Sequence, residues 1–311
     1  MDSRPLIIDC DPGKDDAVAL LLAFASPELD VAAITTVAGN VPLEKTAANA
    51  RRICELVGRS DIPVHAGCPR PIMRPLETAT HVHGADGLAG ADLPPPATAL
   101  ADGHAVDVLV ERLMAGDGGV TLAVLGPMTN VALAIIKQPS VVPRLREIVF
   151  MGGGIGVGNV TPHAEFNLYC DPHAAAVVVG AGAPITMIGL DVTHQARATV
   201  DRVAAFAAIG RPPADIVAAM LTGRRERSGN ETGSGVLGPP LHDPCVIAYL
   251  LRPDLFETAA MDVTVETAVP ERLGETVAVA PEPGRAANVN VVRGIDDHGF
   301  FDLLTERLAR L

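Results

Sequence analysis

The chain has 311 residues and a formal net charge of −13 at neutral pH. That length suits one large domain or two small ones, and we expect one domain over residues 1–311. The negative charge disfavours nucleic acids and anionic membranes as partners, because both bind clustered positive charge. No apolar run approaches the roughly 18 residues of a membrane-spanning helix, and no basic segment followed by an apolar stretch opens the chain. We therefore expect a soluble, cytoplasmic protein with a small-molecule ligand and no membrane partner.

The core has to be built from small and aliphatic side chains. Hydrophobic residues make up 48% of the chain, but aromatic residues make up only 3% and Trp is absent. Closely packed Ala, Val, Leu and Ile suit a parallel sheet covered by helices. The five cysteines are scattered and include no C-x-x-C pair, which predicts reduced, mostly structural thiols.

Short apolar runs alternate with longer segments of helical period, a pattern typical of repeated βαβ units. In chain order, it predicts strands at residues 5–9, 31–37, 120–125, 147–151 and 185–190. Helices are predicted at residues 15–25, 43–57, 128–136, 172–179 and 245–251. After Leu255 the pattern predicts strand-like pieces at 261–266, 276–280 and 288–292, followed by a closing helix from Phe301.

The predicted fold class is α/β. We expect an open, mostly parallel sheet with helices on both faces, a mixed edge formed by the last strands, and an active site at the carboxyl ends of the strands. Two segments, residues 68–101 and 222–241, carry neither period. We interpret them as long loops, which in a compact domain are usually functional or mobile.

The turn after the first strand carries four carboxylates within eight residues, from Asp9, Asp11, Asp15 and Asp16. Side chains alternate along a strand, so Asp9 and Asp11 point to one side. Asp15 and Asp16 enter the first turn of a helix, where the helix dipole favours negative charge. Carboxylates this close repel one another unless a cation or protons intervene, which predicts calcium or magnesium. Taken singly, Asp15 could only cap the helix and Asp16 could be solvated.

Polar residues also follow other predicted strands. Asn40 comes after the second strand, a glycine run at 152–154 follows Met151, and residues 191–194 follow the strand that starts at Ile185. Ligands of open α/β sheets collect at these strand ends. Asn40 alone suits a turn, but its position level with the carboxylates favours a functional role.

The loop at residues 156–167 is rich in amide and carboxylate groups, which suit the vicinal hydroxyls of a sugar. Its glycine-rich beginning lacks the G-x-G-x-x-G spacing and follows a late strand instead of the first. A dinucleotide cofactor is therefore rejected.

His242 and Asp243 precede the apolar helix predicted from Cys245. Pro244 suits the first turn of that helix, so Asp243 is either an N-cap or a further oxygen ligand for the cation. His242 titrates near neutrality and could handle a proton. His81 and His83, in the earlier long loop, could reach the same site, although a loop histidine is usually only solvated.

Six motifs together resemble the inosine-uridine nucleoside hydrolase family, over nearly the whole chain from Ile7 to the C-terminal helix. In the family's order they are DCDPGKDDAVA from Asp9, TTVAGN ending at Asn40, GPMTN at 126–130, MGGG from Met151, GNVTPHAEFN at 158–167 and LHDPC at 241–245. The resemblance implies an enzyme that hydrolyses the N-glycosidic bond of ribonucleosides to ribose and free base. It also implies a homodimer or a homotetramer.

The resemblance further implies the parts of the site. A calcium ion would be bound by Asp11, Asp16, Asp243 and the backbone carbonyl of Leu125, with the ribose 2′- and 3′-hydroxyls completing its shell. Asp11 would activate a bound water and His242 would protonate the leaving base, with Asn40 in the catalytic set and Asp9 supporting the metal ligands. The substrate contacts would be Asp15, Asn40, His83, Met151, Asn159, Glu165, Phe166, Asn167 and His242. This division suits a reaction through an oxocarbenium-like state, which needs water on one face and leaving-group assistance on the other.

One segment departs from the family pattern. Members often carry aromatic side chains in the flap before the histidine, whereas residues 222–241 contain none. The segment offers Arg224, Arg225, Arg227 and Asn230 instead. The preferred base is therefore open.

Two other functions are alternatives. An aspartate-nucleophile phosphatase also has an early D-x-D after a strand and uses magnesium, with Asp296 and Asp297 as candidates for its acidic loop. The acidity of the chain argues against the basic phosphate clamp that it would need. A nucleoside-binding protein without turnover would keep the pocket, but the intact set of Asp11, Asn40 and His242 argues against it.

Overall fold

The computed structural model describes residues 4–115, 119–227, 238–284 and 286–311. The strands in these ranges are β1 (Arg4–Cys10), β2 (Leu29–Thr36), β3 (Val64–Ala66), β4 (Val120–Val124), β5 (Leu145–Met151), β6 (Ile185–Ile188), β7 (Phe256–Val265), β8 (Thr276–Val279) and β9 (Val289–Ile295). They form one sheet in the order β3-β2-β1-β4-β5-β6-β9-β7-β8. Strands β1 to β6 and β9 run parallel, whereas β7 pairs antiparallel with both β9 and β8.

Helices connect the parallel strands. They are α1 (Lys14–Phe24), α2 (Leu43–Leu56), α3 (Thr80–His83), α4 (Ala105–Ala115), α5 (Thr129–Lys137), α6 (Phe166–Cys170), α7 (Pro172–Val179), α8 (Leu190–Thr193), α9 (Val200–Ala207), α10 (Pro212–Arg227), α11 (Pro244–Leu251) and α12 (Asp297–Leu308). Three short 3₁₀ segments lie at Pro139–Arg144, Pro253–Leu255 and Pro270–Arg272.

Alternate side chains of the central strands build one core on each face of the sheet. In β5, Val149 and Met151 belong to the first core, and Ile148 and Phe150 belong to the second. Helices α1, α2, α9, α10, α11 and α12 complete the first core, whereas α4, α5 and α7 complete the second. The predicted class, an open and mostly parallel sheet with helices on both faces and a mixed edge, is confirmed.

Most predicted elements are confirmed with ends that differ by a few residues. The pattern missed the short strand β3 and the helices α3, α4, α6, α8, α9 and α10. The closing helix begins at Asp297 and not at Phe301, because the Asp296 carboxylate accepts the Gly299 N–H at 3.1 Å and starts a polar first turn.

The loop predicted at residues 222–241 is wrong at its beginning, where α10 continues to Arg227. The segment has no apolar period, but Arg and Glu favour a helix that is already formed. The side chains of Arg224, Arg225 and Arg227, and residue Asn230, lie outside what the structure describes. The loop predicted at 68–101 is confirmed except for the single turn of α3.

All five cysteines are buried and free, as expected. Within the described ranges, no helix combines the length and the apolar character that crossing a bilayer requires.

Candidate active site

The carboxyl ends of β1 and β2 place Asp11 and Asn40 side by side, because these parallel strands are neighbours in the sheet. The Asn40 backbone N–H donates to Asp11 Oδ2 at 2.6 Å. Asn40 Nδ2 donates to the Asp11 carbonyl at 3.2 Å and to Asp16 Oδ2 at 3.1 Å. Asn40 therefore fixes two carboxylates relative to each other, which favours its functional role over that of a simple turn residue.

Two glycines make room for the Asp11 carboxylate. A Cβ atom at Gly39 would lie 2.1 Å from Asp11 Oδ2, and one at Gly126 would lie 2.4 Å from Asp11 Oδ1. Any larger residue at either position would displace the carboxylate. Asp11 is fully buried between them, and its Oδ1 accepts no hydrogen bond from the described residues.

Helix α1 begins inside the acidic cluster. Asp16 accepts the backbone N–H of Gly13 at 2.9 Å and that of Asp11 at 3.2 Å, which holds the turn. Oxygen atoms of Asp15, Asp16 and Asp243 all lie within 4.8 Å of one another. Asp243 precedes α11, but its side chain makes no capping hydrogen bond. Its place in the cluster favours the ligand interpretation over the N-cap.

Crowding and burial raise the pKa values of these carboxylates. Burial, with the charge of Asp15 adding to it, raises the pKa of Asp16 to about 6. Burial holds the pKa of Asp11 well above its usual range, and the charge of Asp16 adds to the rise. The pKa of Asp243 is also raised well above its usual range by burial and then by the charge of Asp15. A bound cation would offset this repulsion and favour the ionised forms.

Asp9 lies within β1, deeper in the protein than the acidic turn that follows this strand. Its Oδ1 accepts the Thr35 hydroxyl at 2.6 Å and the Asn130 amide at 2.8 Å, while burial raises its pKa to about 7. Asn130 also donates to the Thr36 carbonyl at 3.0 Å and accepts the Cys68 N–H at 2.8 Å. Asp9 therefore belongs to a buried network that joins β1, β2 and α5 below the acidic turn.

The loop between β5 and α6 carries a second polar group, centred on Glu165. Its carboxylate accepts the backbone N–H groups of Gly153 at 2.9 Å, Asn167 at 2.9 Å and Leu168 at 3.3 Å. Burial raises the pKa of Glu165 to about 7 in spite of these donors. The carboxylate is thus held in one orientation at the start of α6.

The side-chain amides of this loop are also held in place. Asn167 Nδ2 donates to the carbonyls of Leu125 at 2.7 Å and Met151 at 3.2 Å, at the ends of β4 and β5. Asn159 Oδ1 accepts the Phe166 N–H at 2.9 Å. The loop is therefore tied to two strand ends and to the first turn of α6.

His242 is nearly buried, and its Nδ1 lies 2.8 Å from Thr193 Oγ1. Its ring meets the His194 ring edge to face, with 5.9 Å between the centroids. Burial, and then the charge of Arg197, lowers the pKa of His194. The Thr193 hydroxyl fixes the orientation of the His242 ring.

His83 is buried beside α1 and is not a solvated loop residue. Its Nδ1 accepts the Lys14 backbone N–H at 3.1 Å and lies 3.9 Å from Asp15 Oδ1.

A cavity of about 500 Å³ opens above the acidic cluster, within the size range of small-molecule sites. Every residue predicted to contact the substrate lines it, and so do Leu125 and Asp243 of the predicted metal set. The predicted contacts are Asp15, Asn40, His83, Met151, Asn159, Glu165, Phe166, Asn167 and His242. Asp9, Asp11 and Asp16 lie fully buried and are not part of its lining.

Sequence reasoning missed several residues of the site. Thr193, which holds His242, lies in the polar run at 191–194 and could have been found from that position. Arg197 lines the cavity but follows no strand end. It reaches the site because it pairs with Pro240, a contact that no local pattern indicates.

The acidic pair near the C-terminus lies elsewhere. Asp296 caps α12, and Asp297 forms an ion pair of 2.6 Å with Arg202. Neither residue lines the cavity, so the phosphatase alternative loses its candidate magnesium loop.

Comparison with known proteins shows the family of the chain. The model of the family described as inosine-uridine preferring nucleoside hydrolase matches residues 6–302. The chain belongs to this family. A pyrimidine-specific ribonucleoside hydrolase, RihA of Escherichia coli, is 47% identical over 305 residues, which cover 98% of each chain. An uncharacterized protein of Schizosaccharomyces pombe is 46% identical over 98% of this chain and 99% of its own.

Solved structures of nucleoside hydrolases share the fold. A purine-preferring ribonucleoside hydrolase from Gardnerella vaginalis superposes with a TM-score of 0.92 at 29% identity, over 98% of both chains. A plant nucleoside hydrolase superposes with a TM-score of 0.91 at 32% identity, over 99% of both chains. The predicted family is confirmed, and the protein is a ribonucleoside hydrolase, an enzyme that cleaves N-glycosidic bonds.

Proposed function

We propose that the enzyme hydrolyses ribonucleosides of the inosine and uridine type, purine, pyrimidine or both, with Asp11 as the base, His242 as the proton donor and calcium as the cofactor. One observation carries the proposal: a single cavity gathers all of the predicted substrate contacts above a cluster of buried carboxylates. The test measures reducing sugar released from a panel of ribonucleosides with calcium present. Release from none of them would refute the proposal.

The acidic cluster fits a hard divalent cation. Three carboxylates converge within 4.8 Å, and the buried Asp11 Oδ1 accepts no hydrogen bond from the described residues. A donor set made only of carboxylate and carbonyl oxygens suits calcium or magnesium better than zinc. The proposed ligands are Asp11, Asp16, Asp243 and the Leu125 carbonyl, and Asp15 lies beside them. When bound, the cation would hold the ribose hydroxyls and make a water molecule more acidic.

On the water side, Asp11 takes a proton from the attacking water as the oxygen of that water bonds to C1′. The hydrogen bond from Asn40 holds the carboxylate in one orientation for this step. The C1′–N bond breaks as the water adds, and positive charge develops on the sugar. Asp15 and Glu165 line the cavity, and in their ionised forms these carboxylates stabilise that state.

Amide groups bind the ribose hydroxyls in this proposal. Asn40, Asn159 and Asn167 all line the cavity, and Asn40 also contacts the acidic cluster through Asp16. Each amide is held by hydrogen bonds to the protein, so little rotational freedom is lost when the sugar binds. Met151 and Phe166 contribute apolar contacts.

On the base side, His242 gives a proton to the departing base. The ring donates from Nε2, because Nδ1 is held by the Thr193 hydroxyl at 2.8 Å. The nitrogen of the base takes the electron pair of the broken C1′–N bond and gains that proton. Asp11 and His242 therefore act on opposite sides of the sugar, as an oxocarbenium-like reaction requires.

Removal of divalent cations should abolish turnover, and added calcium should restore it, because a cation offsets the repulsion within the carboxylate cluster and contributes to catalysis. The measurement is reducing-sugar release after prolonged chelation, with the bound metal quantified by atomic emission. Circular dichroism serves as the control that the chain stays folded. Full activity in demonstrably metal-free protein would exclude a cation from the mechanism.

His242→Ala should lower kcat for inosine and uridine by about 10²- to 10⁴-fold, the usual contribution of general acid catalysis. A ribose that carries p-nitrophenolate needs no proton on its leaving group, so the same variant should hydrolyse it at a near wild-type rate. His298→Ala, which changes an exposed histidine, is the matched control.

Equal damage to both substrates would instead mean that His242 orients the site or supports its neighbour Asp243. Single substitutions of His83, Arg224, Arg225 and Arg227, assayed with the same substrate pair, would then test the next candidates for assistance to the leaving base.

We also propose a cellular location, a metabolic role and an oligomeric state for the enzyme. A cytoplasmic location and a role in ribonucleoside catabolism or salvage suit an enzyme that releases free base. The family resemblance supports a homodimer or homotetramer. Analytical ultracentrifugation measures that state directly.

A further inference from the structure

The cavity wall beside His242 is built by two segments that pair with each other. Backbone hydrogen bonds of 2.9 Å join residues 196–198 to residues 239–241. The pairing sets Arg197 opposite Pro240. Both residues line the cavity together with His242 and His194. Arg197 therefore lies on the base side of the site, on the same wall as the proposed proton donor.

The Arg197 guanidinium is held against this wall. Its Nε donates to the His194 carbonyl at 2.7 Å, and its Nη1 donates to the Gly238 carbonyl at 3.5 Å. These contacts restrict a side chain that would otherwise be flexible. Because the guanidinium keeps its charge at every physiological pH, it forms a fixed positive charge at the cavity.

The cavity is lined by charged groups of both signs, and they come from different parts of the chain. Asp15 and Asp243 belong to the acidic cluster and Glu165 is held at the end of β5, whereas Arg197 is the one Arg or Lys among the described residues of the lining. Cleavage of an N-glycosidic bond moves an electron pair to the base, so the sugar becomes positive and the base negative. The cavity is therefore electrostatically complementary to the transition state.

We propose that Arg197 stabilises the negative charge of the departing base, as a second leaving-group residue beside His242. This inference rests on the proposed function. His242 supplies a proton, whereas Arg197 supplies a charge that requires no proton transfer. Negative charge on the base develops only as the bond breaks, so the contribution of Arg197 belongs to kcat and not to KM.

Arg197→Gln tests the proposal, because it removes the charge and keeps a donor for the His194 carbonyl. We expect kcat for uridine to fall about 10- to 100-fold with little change in KM. Because Arg197 is only partly buried, this loss of kcat should be smaller than for a fully buried charge. The kcat for p-nitrophenyl riboside should fall as well, since its phenolate leaves as an anion. Substitution of His242 should leave kcat for p-nitrophenyl riboside nearly unchanged. The two residues can therefore be distinguished by their effects on this substrate.

Arg197→Lys should recover most of the lost kcat, because it restores the charge. If the guanidinium had only a structural role, Arg197→Lys would not recover kcat, since Lys cannot reproduce the planar hydrogen-bonding geometry. In a His242→Ala background the base leaves without its proton, so Arg197→Gln should cause a larger loss for uridine there than in the wild type. Arg211→Gln, at an exposed arginine, is the control.

An unchanged kcat for both substrates, or a loss confined to KM, overturns the role of Arg197. Failure of the wild type to hydrolyse any ribonucleoside would refute the proposed function instead, so the two failures are distinguishable. If circular dichroism shows that Arg197→Gln does not fold, Arg197→Met removes the charge with similar packing and carries the same test.

Discussion

Uridine and inosine should be hydrolysed about 10⁴-fold more efficiently, measured as kcat/KM, than 2′-deoxyuridine and 2′-deoxyinosine. The proposed sugar contacts Asn40, Asn159, Asn167 and Glu165 line the cavity, and all are fixed by hydrogen bonds within the protein. Groups held in this way cannot rearrange when a hydroxyl is missing. They are left without their partner, and the substrate loses both binding and orientation.

The comparison is a stringent one, because 2′-deoxyribosides are intrinsically easier to hydrolyse than ribosides. A preference for the riboside therefore has to come from the protein. Both substrates of each pair are assayed with the same enzyme and the same calcium concentration, and the base is the same within a pair. Comparable kcat/KM values within either pair would contradict the proposed role of the 2′-hydroxyl.

The parallel part of the fold could be predicted because it depends on local patterns. Helix α7 occupies the predicted range, residues 172–179, since Pro172 suits its first turn and the Asp171 carboxylate accepts the Ala174 N–H. Strand β3 escaped prediction because its three residues are too few to show a period. Helix α10 continues through a run of charged residues without an apolar face, so periodicity alone placed a loop there.

The part of the candidate site that lies at strand ends could be predicted from the sequence. Asp11 follows β1, Asn40 follows β2, and Met151 is the last residue of β5. These strands are parallel, so their carboxyl ends meet at one edge of the sheet. What could not be predicted depends on long-range contacts. The burial of Asp11 beneath the cavity requires Gly39 and Gly126 from two other strand ends, and no spacing along the chain indicates it.

Asp11→Asn should lower kcat by at least roughly 10³-fold, because it removes both the base and one negative charge of the cation site. The substitution is nearly isosteric. An amide oxygen can still accept the Asn40 N–H that now donates to Asp11 Oδ2 at 2.6 Å. The variant should therefore fold, and the loss should be chemical and not structural. Asp102→Asn, at an exposed aspartate, is the matched control.

Bound metal and kcat have to be measured together for this variant, because Asp11 has two proposed roles. If excess calcium restores both metal content and activity, Asp11 acts only as a ligand and another group takes the proton from water. If the metal is bound and kcat stays at least roughly 10³-fold low, the loss belongs to the base. A loss below about tenfold with the metal still bound would remove Asp11 from the centre of the mechanism. Asp15, which lines the cavity within 4.8 Å of Asp16 and Asp243, would then be the next carboxylate to test.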